Sequence, residues 1–151
     1  MKNILFLLPP ILISCSHKPN PEVLKAADAI SKKTIILPDW VDQDDLYQNL
    51  MAVASTEDLI SMTNHDDPIV RYCAFIGLRE RKYPEIKQIY FDHQDDEMNV
   101  LTSNGACLKN WRSVSDLMLW ALDPEETRFK SPFTQKEYDS VCQIKICRKV
   151  N

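Results

Sequence analysis

Apolar positions recur at helical spacing along most of this chain, interrupted by short polar turns. From Pro21, the positions Val23, Leu24, Ala27 and Ile30 share one face of a helix running to about residue 33. Glu22 at its start and Lys32-Lys33 at its end suit the helix dipole. A β-branched run from Thr34, closed by Pro38, predicts an extended connector. Asp42 is then expected to cap a helix over about 43–54, with Leu46, Tyr47, Leu50, Met51 and Val53 as its apolar set. Ser55 and Asp58 stand at capping-box spacing ahead of Leu59, Ile60 and Met62, a short helix ending near Thr63-Asn64.

The densest apolar stretch follows. Asp67 is the natural N-cap and Pro68 the first residue of a helix reaching about Arg81. Ile69, Val70, Cys73, Ala74, Ile76 and Gly77 form one wide face, while Tyr72, Phe75 and Leu78 extend it further round. A helix apolar over most of its girth is expected between neighbours, not on a surface. Gly77 costs about 1 kcal/mol of helix propensity against Ala, which points to close approach of another backbone.

Beyond Pro84, Ile86, Ile89, Tyr90 and Phe91 line a helix ending near His93. The polar turn His65-Asp66-Asp67 is then echoed by Asp92-His93-Gln94-Asp95-Asp96-Glu97, each following a short amphipathic helix at a period of about thirty residues. Asp67-Pro68-Ile69-Val70-Arg71, with Ala74 and Leu78 behind it, resembles the second helix of a HEAT-like repeat. That resemblance implies that Asp67 caps, Val70 enters the core and Arg71 pairs with acidic neighbours. It covers about 56–93, one unit and half of another. The second unit lacks the Pro and Arg and meets Thr102-Ser103-Asn104-Gly105 where a helix should continue. A solenoid needs about three stacked units to bury its core, so the expected fold is a small, mostly α domain with HEAT-like helix pairs.

An extended segment over about 100–108, turning at Asn104-Gly105, predicts a short hairpin. Ser113 and Asp116 cap a further helix to about Leu122, stopped by Asp123-Pro124. Thr134 is expected to cap a last short helix through about Val141, leaving Lys145-Ile146-Cys147-Arg148-Lys149 as a terminal strand or frayed end.

The first residues follow a different logic. Lys2 precedes an apolar run over 4–13 that is about half of what a spanning helix needs, and Pro9 and Pro10 break it. The run fits a signal peptide over 1–14. Its end, Leu12-Ile13-Ser14-Cys15, resembles the lipobox of bacterial lipoproteins. That resemblance implies cleavage before Cys15, lipid on Cys15, and residence on a bacterial membrane facing the periplasm or cell exterior. Two or more acyl chains hold a protein firmly, so the domain itself would need no apolar membrane face. Residues 15–21 are polar and Pro-rich, a semi-extended tether in which His17 is expected to be solvated, and 22–151 form the single domain.

Composition narrows the chemistry. Two glycines among 151 residues favour helices over tightly turned sheets and leave little for phosphate-cradling loops. A net charge of −4 with scattered Lys and Arg argues against nucleic acid. The sequence contains no nucleophile elbow, phosphate loop or metalloprotease motif, so no catalytic residue and no cofactor are assigned. Cys73 reads as a buried thiol, and a disulfide among Cys107, Cys142 and Cys147 is open. Bridging Cys107 to the C-terminal segment would stabilise by about 3 kcal/mol. The spacing lacks the paired short intervals of a four-cysteine zinc site.

His65, Asp66, His93 and Asp95 in the two acidic turns are the alternative chemistry, a small enzyme or metal-binding protein, set against their reading as caps and solvated turns. Trp120 is expected in the core, and Trp111, among Lys109, Asn110 and Arg112, is the candidate exposed anchor. The expected function is a membrane-anchored lipoprotein that acts by protein contact as an interaction or scaffold module, without catalysis. An inhibitor or immunity-type partner of a secreted enzyme is a further alternative.

Overall fold

The computed structural model describes residues 17–105, 108–126 and 128–150, with side chains described as far as Lys145. Within them the chain is mostly helical with one small sheet. The helices are α1 (Pro21–Ser31), α2 (Asp45–Val53), α3 (Thr56–Met62), α4 (Pro68–Glu80), α5 (Ile86–Asp92), α6 (Val114–Trp120) and α7 (Gln135–Val150). A 3-10 turn, Pro38–Gln43, precedes α2, and strands β1 (Asn99–Ser103) and β2 (Lys109–Ser113) lie between α5 and α6.

α4 is the hub. Every residue from Ile69 to Leu78 except Arg71 is buried, and α1, α3, α5, α6 and β1 all pack against it. Its start is as the sequence predicts: the Asp67 carboxylate accepts from the Ile69 and Val70 amides at 2.9 and 3.1 Å, with Pro68 in the first turn. The Ser55–Asp58 box at α3 is reciprocal, each side chain accepting from the other's backbone amide.

Gly77 has a different cause from the one expected. A Cβ there would lie 2.5 Å from Met51 Sδ, 2.8 Å from Met51 Cε and 3.0 Å from Leu59 Cδ1, so side chains of α2 and α3, not a backbone, occupy the space.

α2 is capped by Asp44 and not by Asp42. Pro38 opens a 3-10 turn that carries the chain past Asp42, and the Asp44 carboxylate accepts from the Leu46 and Tyr47 amides at 3.0 and 3.3 Å. The same carboxylate pairs with Lys33 at the end of α1, which holds its pKa below the usual range despite burial. On α1, Val23, Ala27 and Ile30 are buried, but Leu24 is exposed.

After the second acidic turn the chain enters β1, not another helix. β1 and β2 pair antiparallel, with Leu101 opposite Trp111 and Val100 opposite Arg112. The connector also joins this sheet: the Ile36 amide donates to the Leu101 carbonyl at 3.0 Å, and the Ser103 amide donates to the Ile36 carbonyl at 2.9 Å. Ile36 thus adds a parallel rung beside β1, and Val100, Thr102 and Ile36 are all buried.

The C-terminal segment is one helix, α7, and not a short helix followed by a strand or frayed end. Two kinds of contact hold it. Tyr138 packs edge-on against Phe133 at 6.3 Å between centroids, and Phe133 meets Tyr90 and Phe91 edge-on at 6.0 Å each. Lys145 Nζ reaches Asp116 Oδ1 and Ser115 Oγ, both at 2.7 Å, and so ties α7 to the start of α6.

Candidate functional site

The two acidic turns stand side by side, and Arg71 joins them. From the first turn of α4 its Nη1 donates to the carbonyls of His65 and Asp66 at 2.8 and 3.2 Å. Its other face meets Asp96 from the second turn, Nη2 to Oδ1 at 3.1 Å and Nε to Oδ2 at 2.8 Å. Both side chains are nearly buried, at 11 and 12 % exposure, so the pair works in a medium of lower dielectric than water.

Two further side-chain atoms of these turns are committed locally. His65 Nδ1 accepts from the Asp67 amide at 3.0 Å, and Asp96 Oδ1 also takes the Met98 amide at 3.1 Å. Burial holds His93 below its usual pKa, with Asp96 raising it and Arg71 lowering it further.

This arrangement bears directly on the ion-binding alternative. A guanidinium sits where the two turns meet, and it repels a cation while consuming the carboxylate nearest to it. Among the described residues no group of three or more His, Cys, Asp or Glu side chains comes together as a metal site requires.

Two more arginines repeat the device, and sequence reasoning assigned neither. Arg79 Nη1 donates to the Ala121 carbonyl at the end of α6 at 3.0 Å, with its guanidinium 3.9 Å from the Phe129 ring centroid. Arg81, just past α4, donates to the Ala54 and Met51 carbonyls at 2.7 and 3.2 Å and so closes the end of α2. Helix ends leave carbonyls without partners, and these arginines supply the donors. The signal was their place at the C-terminal end of the most apolar helix, Arg79 in its last turn and Arg81 at its C-cap.

His17 departs from the solvated tether expected of it. Its Nε2 lies 2.7 Å from Asp58 Oδ1, while Asp58 Oδ2 accepts from the Ser55 amide and hydroxyl, each at 2.8 Å. Burial raises the Asp58 pKa, but the hydrogen bonds from His17 and Ser55 outweigh it and hold the carboxyl at about 2. The tether is therefore fastened to α3 four residues before α1 begins.

Cys73 is buried with a free thiol, its pKa pushed up to about 12 by desolvation and by the Asp44 charge. Cys142 is also free and half-buried. Cys142 and Cys147 both belong to α7, where five positions separate their backbones by about 7.5 Å along the axis, beyond the reach of a disulfide. Cys15, Cys107 and the side chain of Cys147 lie outside the described residues.

All three tryptophans are exposed, and Trp40 on the 3-10 turn is 59 % so. Trp111 on β2 is 68 % exposed, as its polar neighbours predict, and Leu108, just before the strand, is 64 % exposed. Trp120, expected in the core, is instead 38 % exposed with the Arg112 guanidinium 5.7 Å from its ring centroid. Its helix is only two turns long and buries Leu117, Met118 and Leu119, which leaves the last position on the rim. No helix among the described residues is long and apolar enough to cross a membrane. No protein-family model, curated protein or solved structure matches the chain.

Proposed function

We propose that this chain is a lipid-anchored protein of a bacterial cell envelope, facing the periplasm or cell exterior, whose folded part is a protein-interaction or scaffold module. The observation that carries the anchor is Leu12-Ile13-Ser14-Cys15 behind Lys2 and an apolar run too short and too Pro-broken to span. Cleavage before Cys15 and lipid on its thiol hold the domain at a membrane, which fits a body whose large apolar side chains are mostly spent in its own core.

The interaction role rests on how the candidate chemistry is used. Asp67 is a cap, Asp96 is an arginine partner, Asp58 is half of a capping box and Cys73 is core. The carboxylates and thiol at Asp67, Asp96, Asp58 and Cys73 thus have structural tasks, while Trp111 and Leu108 face solvent. The roles of Asp67, Val70 and Arg71 also agree with those the HEAT-like resemblance implies: a cap, a fully buried side chain and an acidic pair. We read α3 and α4 as one HEAT-like helix pair at the centre of a compact domain.

The anchor is tested with the full chain expressed in a bacterial envelope. Radiolabelled palmitate should enter the wild type and not Cys15→Ala, and that variant should leave the membrane fraction. An unlabelled wild type with an unchanged membrane fraction for the variant would sink the proposal. The interaction role is tested by crosslinking in intact membranes followed by affinity capture, which should return a reproducible protein partner.

A further inference from the structure

The hairpin carries an open sheet edge. Antiparallel ladders alternate between residues that bond across the pair and residues whose N–H and C=O point away from it. The Val114 amide donates to the Met98 carbonyl, which by the same register makes Val100–Arg112 and Thr102–Asn110 the bonded pairs. Leu101 and Ser103 then point away from β2, and both do bond Ile36 on the far side. On β2, Lys109 and Trp111 likewise point away from β1. Their outward backbone groups have no hydrogen-bond partner among the described residues. The sheet therefore ends at β2, and Lys109, Asn110, Trp111 and Arg112 are all exposed.

The charge at this edge is opposite to that of the protein. The chain has 22 acidic residues and a net charge of −4, yet no Asp or Glu occurs from Met98 to Ser115, where Lys109 and Arg112 are the charged residues. Edge strands are commonly guarded by Lys, and Lys109 fits that role. A guard does not explain a Trp 68 % exposed at the middle of the same strand, in register with Leu101 on the solvent face of the sheet.

We propose that β2 is a docking edge for an extended acidic segment of a partner protein, which adds as a strand beside it. Backbone groups of Lys109 and Trp111 supply the ladder bonds, the Trp111 ring covers an apolar side chain of the added strand, and Lys109 and Arg112 face its carboxylates. A second copy of this chain fits less well, because pairing β2 with β2 would bring two acid-free, cationic strips together. This inference names the surface for the interaction role proposed above and rests on it.

The test screens the full chain in detergent against a displayed library of eight-residue peptides. Selected peptides should carry an apolar residue opposite Trp111 with Asp or Glu two positions to one side, opposite Lys109, and one position to the other, opposite Arg112. With them bound, the Lys109 and Trp111 amides should gain protection from hydrogen exchange. Trp111→Ala and Lys109→Pro should each weaken binding at least about tenfold, and Lys109→Gln, which keeps the amide, by a few-fold. Lys109→Pro is placed at the first residue of an edge strand with its N–H towards solvent, where Pro is tolerated, and melting curves check that each variant is folded.

The inference is overturned if no peptide is selected, or if selected peptides bind Trp111→Ala and Lys109→Pro as they bind the wild type. It is equally overturned if Trp111 serves instead to bind phosphatidylglycerol vesicles, or to support a dimer seen by sedimentation. The broader role fails separately. A captured partner whose crosslinks ignore Trp111→Ala leaves that role standing and removes the edge, whereas failure to capture any partner removes both.

Discussion

Arg71 and Asp96 face each other through two contacts, Nε to Oδ2 at 2.8 Å and Nη2 to Oδ1 at 3.1 Å, across twenty-five positions of sequence. The same guanidinium holds the His65 and Asp66 carbonyls, so one side chain fixes the relative position of two turns. Removing one partner of a nearly buried pair strands the other's charge. Asp96→Ala should therefore destabilise by about 2–4 kcal/mol, and Arg71→Ala by at least as much because it also frees two carbonyls. Arg71→Lys should recover only part of this, since an ammonium cannot match the fork geometry. Urea denaturation of the three variants checks the order; equal stability of wild type and Asp96→Ala would show that the pair contributes nothing net.

His17 and Asp58 make a pH-dependent fastening. The folded Asp58 carboxyl titrates at about 2, below the 3.8 of a free aspartate, so its contribution is complete above about pH 4. It declines as pH falls through the folded value near 2. With His17 about half exposed, the contribution is on the order of 1 kcal/mol. Stability measured between pH 5 and pH 2 should fall less steeply for Asp58→Asn than for wild type. His17→Ala should lower neutral-pH stability by a similar small amount while leaving the Ser55 capping box in place, and a variant profile parallel to wild type would contradict the assignment.

How far the sequence foretold this molecule depends on the range of each interaction. The start of α4 was readable because Asp67, Pro68 and the buried run are local and each acts within one turn. The capping box at Ser55 and Asp58 was readable for the same reason, whereas the extended segment expected over 100–108 catches β1 but stops short of β2, which begins at Lys109. Arg79, Arg81, Lys145 and His17 were not readable, because each finds a partner 27 to 42 positions away and that pairing exists only after packing. The α2 cap slipped from Asp42 to Asp44 because two carboxylates competed and the 3-10 turn from Pro38 decided between them. α7 was cut short because its polar sequence shows little amphipathic signal, while an edge-on ring contact and the Lys145–Asp116 pair hold it. At the candidate site, Trp111 was legible from its polar neighbours. The open edge beside it became visible only with the register.

Gly77 sets helix propensity against space. An added methyl gains about 1 kcal/mol of propensity but must displace the end of Met51 and press on Leu59. Met51 is flexible and can yield, whereas Leu59 is fully buried. Gly77→Ala alone should therefore fall within about 1 kcal/mol of wild type. With Met51→Ala in place the same change should stabilise by about 0.5–1 kcal/mol, since the nearest obstacle is gone. A double-mutant cycle by thermal unfolding reads the difference, and a cycle that closes without coupling would remove Met51 as the cause.

Cys73 should be chemically silent until the domain opens. Its thiol is buried in α4, and a pKa near 12 leaves almost no thiolate at neutral or mildly alkaline pH. Iodoacetamide at pH 8 should leave Cys73 unmodified in the native protein and alkylate it in denaturant, as read by peptide mass mapping. Cys142, half-buried on α7, should react measurably faster under native conditions even though burial also raises its pKa. Arg71→Ala should bring Cys73 labelling forward, because loosening the turn at the start of α4 lowers the cost of opening the helix that shelters the thiol. Native labelling of Cys73 as fast as Cys142 would mean that α4 opens far more readily than its burial implies.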